Sequence, residues 1–198
     1  MPIEVSESGS GNTIDIDPGN HALSGKVFVS GDGNRLRIER QHSAGHFHIE
    51  IAGGASVVIR AGCALGNLFI HADRRAQVEI GRETAFNGQV RLLLHETANL
   101  RIGSSCLFAG EVDVTVSDMH SVVDTRTGRR TNPAEDIVIG DRVWIGQRAM
   151  ILKGARIGAG SVIGASSVVT REIPEDCVAA GNPCRVVRTD RTWSFDLP

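Results

Sequence analysis

The chain contains no tyrosine, and aromatic residues make up only 4% of its 198 positions. That is too little to fill the centre of an aromatic-cored sandwich. No apolar run is long enough to span a bilayer, and the first residues, MPIEVSESGSGNTIDID, lack the basic stretch followed by an apolar one that marks a secretory signal. The reading therefore expects a cytoplasmic protein without a transmembrane segment. A net charge of −2 gives no argument for nucleic acid or an anionic membrane as partner. The charge is uneven, however: 11 Lys and Arg face 8 Asp and Glu from Arg126 onward, against 10 and 15 before it. The four cysteines, Cys63, Cys106, Cys177 and Cys184, have neither CxxC nor metal-ligand spacing, and read as small core residues.

What the chain has in plenty is glycine, at 23 residues, and repetition. Lines of the form A-x-[VL]-x-I begin at Ala55, Ala76 and Ala98, with related lines at Asn34 and Asn12. Their isoleucines, Ile16, Ile38, Ile59, Ile80 and Ile102, are spaced by 22, 21, 21 and 22 residues. Between them apolar residues alternate, as in Val27 and Val29, Ile49 and Ile51, or Leu92 and Leu94, which is strand periodicity. From Ile139 the period tightens to six, through Ile145, Ile151, Ile157, Ile163 and Val169. A small residue follows each leading aliphatic by four: Val143, Ala149, Ala155, Ser161, Ser167. Glycine comes directly after it at Gly140, Gly146, Gly158 and Gly164, read as relaxing the turn.

These periods describe an all-β triangular prism. Three hexads make one coil, each leading aliphatic points inward, and each coil pairs in parallel with the next, so that no repeat buries its own core. Seven or eight coils at about 4.8 Å each give a prism about 35–40 Å long. The expected organisation is a parallel β-helix over residues 1–173, with long repeats over 12–120, a polar interruption at 121–136 and strict hexapeptides over 137–170, followed by a C-terminal tail, 174–198.

The run from Ile137 to Arg188, IVIGDRVWIGQRAMILKGARIGAGSVIGASSVVTREIPEDCVAAGNPCRVVR, preceded by SDMHSVVDTRTGRRTNP, resembles the hexapeptide-repeat acyltransferases, and among them the bacterial O-acetyltransferases of surface-polysaccharide sugars. The resemblance covers residues 98–193 well, while the first 97 agree only as repeats. It implies a left-handed parallel β-helix, where general crossover statistics would favour the right-handed sense. It further implies a homotrimer, acetyl-CoA as acyl donor in a groove between prisms, a sugar or polysaccharide acceptor, and no metal.

The resemblance gives the role of general base to His120, at the entrance to the interruption. An imidazole can take a hydroxyl proton near neutral pH and return it to a departing thiolate. Asp118, on the same side of an extended strand, either orients the imidazole, contacts the sugar or is a plain solvated carboxylate. Asn132, which with Pro133 closes the loop, and Trp144, pointing out of the prism, join it as acceptor contacts; trimer packing is the other reading of Trp144. Acetyl-CoA contacts carried over by position are Gln147 and Ala165 beside the pantetheine arm, Thr170 and Arg171, and Arg185 and Arg188 near the phosphates. Arg171 stands where relatives usually have lysine.

Other functions fit the same prism: N-acetylation of an amino sugar, a non-catalytic scaffold, or a γ-type carbonic anhydrase with zinc on three histidines. His71, His95 and His120 fall at +12, +15 and +18 from their own repeat isoleucines, so they are expected to drift around the coil rather than stack. Thr125 stands where the carbonic anhydrases carry a further histidine.

Overall fold

The computed structural model describes residues 3–41 and 43–196. Within them every regular element is a strand, and the strands form a parallel solenoid of three ladders. The leading aliphatics account for its register. In one ladder Ile16, Ile38, Ile59, Ile80, Ile102, Ile139, Ile157 and Ile173 stand one above another across eight coils. A second ladder stacks Leu65, Phe86, Phe108, Ile145, Ile163 and Ala179. The third stacks Val27, Ile49, Ile70, Leu92, Val114, Ile151 and Val169. Residues six apart in the sequence thus land on three successive faces, and the fourth hexad starts the next coil. In the early repeats one long strand, such as Ala64–Ala72 or Ala85–Leu94, serves both the second and third faces. Beyond Leu107–Phe108 the two are separate short strands. The parallel register runs on through Cys177–Ala180; Arg185–Thr189 then pairs with that strand in the antiparallel sense.

The interior is a column of side chains from end to end. Ile59, Ile80, Phe86, Phe108, Ile145 and Ile151 are all 0% exposed, whereas Ile16 in an end coil is only half-buried. Each such side chain contributes about 1.5–3 kcal/mol on leaving water. Phe86 and Phe108 stack at 4.9 Å between ring centres, on successive coils.

The small residues line one corner as expected: Cys63, Thr84, Cys106, Val143 and Ser161 are fully buried. Their polar atoms satisfy corner carbonyls, Thr84 Oγ1 donating to Gly103 O at 2.9 Å and Ser161 Oγ to Pro174 O at 2.7 Å. All four cysteines are free and buried. Burial pushes the Cys63 and Cys106 thiols up to about 11.

The hexad glycines act differently from the expectation. Gly140, Gly146, Gly158 and Gly164 do not have positive φ; the left-handed residue comes two places later, at Arg142 (54°), Arg148 (60°), Gly160 (70°) and Ser166 (56°). The glycine is there because the next coil is too close. A Cβ on Gly146 would lie 2.6 Å from Ala165 N, and one on Gly140 2.7 Å from Ala159 N.

The histidine expectation also needs correction. The His71 and His95 rings do meet, with centres 4.2 Å apart and planes tilted by 33°. His71 pairs with Leu93 across the ladder, so His95, two residues further along, is its diagonal neighbour and within side-chain reach. His71 Nδ1 is taken by Glu50, at 3.0 Å. Burial, then the His71 ring beside it, pushes the His95 pKa down.

Candidate active site

The polar interruption is a loop inserted at a corner without breaking the coil. The strand Val112–Thr115 ends the third face, and Glu135 N donates to Val116 O at 3.0 Å, so the chain re-enters where it left. Asp136 then takes the Asn99 backbone N–H (2.7 Å) and side-chain amide (3.0 Å) before the next strand, Ile137–Ile139, begins.

The loop is tied to itself and to the prism. Its outer part is a small hairpin bridged at Val123 and Arg130. Asp124 Oδ1 receives the N–H groups of Arg126 and Thr127, at 2.8 and 2.9 Å, and Gly128 supplies the left-handed turn at φ 69°. Arg130 reaches back to the preceding coil with a two-pronged contact to Glu96, at 2.6 and 2.8 Å, which holds that carboxyl below its usual range.

Asn132 fastens the root. Its Nδ2 donates to Asp118 Oδ2 (2.7 Å) and to the His120 carbonyl (2.8 Å), while its Oδ1 accepts from Val122 N at 2.6 Å. Lys153 Nζ, from the next coil, lies 2.5 Å from the same Asp118 oxygen. Lys153 first and Asn132 second hold the Asp118 carboxyl below the usual carboxylate range. Met119 turns through φ 59°, and His120 N donates to Asp118 O at 2.6 Å. His120 is exposed, and its imidazole makes no hydrogen bond among the described residues, so its backbone is pinned while its ring stays available.

Asp118 is therefore not the partner of the His120 ring, and Asn132, half-buried, serves the loop in this arrangement. Lys153 is the residue that sequence reading missed: nothing in the hexad ILKGAR marks its lysine as the anchor of a carboxylate 35 positions earlier.

The third face and its two corners carry part of the rest. Met150, 41% exposed, and half-buried Val168 form an apolar strip between two corners. Gln147 and Ala165 sit at one corner on successive coils, where Ser166 N donates to Gln147 O at 2.8 Å; the Gln147 amide leans on Glu111, at 3.0 Å. Thr170 and Arg171 sit at the other corner, the one that bears the loop, and both are exposed. Arg185 and Arg188 lie exposed on the final strand, each guanidinium reaching only the carbonyl of the residue before it. Among the described residues none of these three arginines forms an ion pair. Trp144, 39% exposed, stands apart on the second face, between Leu107 and Val162.

The family model for bacterial transferase hexapeptide (six repeats) matches residues 136–171. Residues 136–171 carry a hexapeptide-repeat array. It is 38% identical over 125 residues to a polysialic acid O-acetyltransferase of Escherichia coli O1:K1 / APEC, a stretch covering 63% of this chain and 40% of that one. A second polysialic acid O-acetyltransferase, from Neisseria meningitidis, is 28% identical over 143 residues, 70% of this chain and 65% of that one. The chain thus spans less than two thirds of either curated relative. Among solved structures, the polySia specific acetyltransferase NeuO superposes with a TM-score of 0.81 at 28% identity, over 98% of this chain and 89% of that one. A hexapeptide-repeat acetyltransferase of Vibrio cholerae O1 biovar eltor, complexed with acetyl coenzyme A, gives 0.51 at 29% identity, over 62% and 65%. The resemblance to hexapeptide-repeat acyltransferases, sugar O-acetyltransferases among them, therefore holds, and with it the left-handed sense of the β-helix. No helix among the described residues is long and apolar enough to cross a membrane.

Proposed function

We propose that the chain is an acetyl-CoA-dependent O-acetyltransferase acting on a sugar hydroxyl of a surface polysaccharide, with polysialic acid the first acceptor to test. The observation that carries this reading is His120: an imidazole without a hydrogen-bond partner among the described residues, at the fixed root of a loop, on a prism whose relatives are polysialic acid O-acetyltransferases.

The residues present suit such a donor. The apolar strip of Met150 and Val168 fits a pantetheine arm, with Gln147 and Ala165 along one side and Thr170 along the other. Arg171, Arg185 and Arg188, uncommitted to carboxylates, fit its phosphates. Acetyl-CoA supplies an activated thioester. His120 takes the proton of the acceptor hydroxyl as that oxygen attacks the thioester carbon; the C–S bond breaks, and the proton passes from His120 to the leaving sulfur. Asp118 acts on this step through the loop, since Lys153 and Asn132 hold it at the root from which His120 projects.

Trp144 belongs to a different face from the loop that bears His120. A closed threefold assembly brings the second face of one chain against the loop corner of its neighbour, and the acceptor then lies between Trp144 of one prism and His120 of another. Reaction in the cytoplasm, where acetyl-CoA is made, follows from the donor.

The test is initial-rate transfer from acetyl-CoA to polysialic acid, with sedimentation of each variant. His120→Ala and His120→Asn should keep the trimeric mass and the affinity for acetyl-CoA, and lose transfer by about 10²–10⁴-fold. The acid limb of the wild-type pH profile should be missing from their residual activity. Transfer at the normal rate by either variant, or a wild-type mass equal to one chain at micromolar concentration, would overturn the reading.

A further inference from the structure

The residues after Thr189 do not form another coil. They run back along the outside of the prism, over the corner between the first and second faces. Arg191 N donates to Asp176 O at 2.9 Å, Thr192 Oγ1 to Gly160 O at 2.9 Å and Trp193 Nε1 to Arg142 O at 2.6 Å. Each acceptor is one coil earlier than the last.

This path delivers two aromatic rings to Trp144. The Trp193 ring centre is 6.2 Å from that of Trp144 and 4.7 Å from that of Phe195, the latter pair edge to face. Three aromatic rings thus form a row on the outer surface, in a chain with 4% aromatic residues. Phe195 is 68% exposed and Trp144 39%. Beside the row is an open depression of about 270 Å³, whose polar rim includes Ser105, Arg142 and Asp196.

The segment is held by hydrogen bonds at the corner rather than by burial of its rings. Trp193 spends its one N–H on Arg142, which leaves the ring system free for apolar contact. A sugar offers complementary chemistry, an apolar C–H face edged by hydroxyls: the rings fit the face, and serine, arginine and aspartate fit the edge. The row also starts at the residue that the proposed function assigns to the acceptor.

We propose that Trp193 and Phe195 form a second sugar subsite beside Trp144, which takes the neighbouring unit of an oligosaccharide acceptor and makes the enzyme favour chains over free sugars. This rests on the reading of Trp144 as an acceptor contact. The returning segment is then a specificity element carried outside the repeats.

The experiment measures kcat/KM at saturating acetyl-CoA for free sialic acid and for oligosialic acids of increasing length. For the wild-type chain it should rise with length. Trp193→Ala and Phe195→Ala should each lower kcat/KM for the long acceptors by about three- to tenfold, through KM, and leave the free sugar and the sedimentation mass unchanged. Trp193→Phe should retain most of the preference. Equal rates for short and long acceptors in the wild-type chain, or an unchanged length dependence in both alanine variants, would overturn the subsite. So would dissociation of the oligomer by Trp193→Ala, which would make the row a subunit contact. Absence of transfer to any sialic acid by the wild-type chain would refute sialic acid as the acceptor, and the subsite for it; that failure is seen without any variant, so the two are told apart.

Discussion

Asn132→Ala should open the loop without unfolding the prism. The side chain makes short hydrogen bonds to Asp118, to the His120 carbonyl and to Val122 N, at 2.7, 2.8 and 2.6 Å. A hydrogen bond of this kind is worth about 0.5–1.5 kcal/mol net, and the water-exposed setting of the loop argues for the lower part of that range. Losing all three should cost about 2 kcal/mol, or about a thirtyfold rise in the population of the open loop. Amide hydrogen exchange at Val122 and Thr131 reads this directly, because in the closed loop Val122 N donates to Asn132 Oδ1 at 2.6 Å and Thr131 N to Val122 O at 2.8 Å. The melting temperature should hardly move, since the core lies elsewhere. Asn132→Asp sharpens the test. It puts a second carboxylate beside Asp118, which raises the folded-state pKa of one of the pair, so loop closure in this variant is strongest at acid pH and weakens as pH rises. In the native chain the Asp118 pKa is lowered, so its contribution is present above the ordinary carboxylate value, about pH 4, and is lost as pH falls through the lowered one. The two proteins should show opposite pH slopes of protection at Val122. Unchanged exchange in Asn132→Ala, or the same slope in both, would refute the account of the root.

Arg185→Ala and Arg188→Ala should weaken acetyl-CoA by about 1–3 kcal/mol each while barely affecting a truncated pantetheine thioester; equal losses for both ligands, measured by calorimetry, would remove these arginines from phosphate binding. Gly146→Ala should destabilise the prism by about 1–3 kcal/mol in denaturant titrations, because the new methyl would meet Ala165 N at 2.6 Å; a neutral effect would disprove the close-approach role of the hexad glycines. Cys63 and Cys106, with thiols pushed up to about 11, should resist iodoacetamide at neutral pH until the chain unfolds, and rapid labelling in the native state by mass spectrometry would contradict their burial.

The coils were legible because the cause of the fold is itself periodic. An inward position recurs whenever the chain has gone round one face, so the stack from Ile16 to Ile173 can be read by spacing alone. What spacing does not carry is where the backbone turns left-handed. Glycine at Gly140 and Gly146 looks like the turn residue, yet the positive φ falls on Arg142 and Arg148, whose exposed side chains leave no mark in the pattern. The same limit applies at the site. His120 stood out by its place before a break in the repeat and by family resemblance, but its support comes from Asn132 and Lys153, 12 and 33 positions further on, through bonds that no period records. The returning segment has no period at all. Its path depends on single hydrogen bonds to corner carbonyls, and so the meeting of Trp193 with Trp144 had no sequence signal beyond the scarcity of tryptophan itself.

The position of the histidine within its loop follows from the same mechanics. A coil can accept an insertion at a corner because the hydrogen bond from Glu135 N to Val116 O restores the register on either side. The two ends of the insertion are then tied into the prism, while its tip depends on the Arg130–Glu96 contact and a small hairpin. A general base must be held within a fraction of an ångström of its target. The tip, held by so few contacts, does not offer that. The root combines a fixed backbone with a side chain that projects beyond the prism surface. As the proposed base, His120 occupies that root, where Asp118 is held by Lys153 of the next coil, and moving the histidine to Thr125 at the turn would forfeit the geometry while keeping the chemistry.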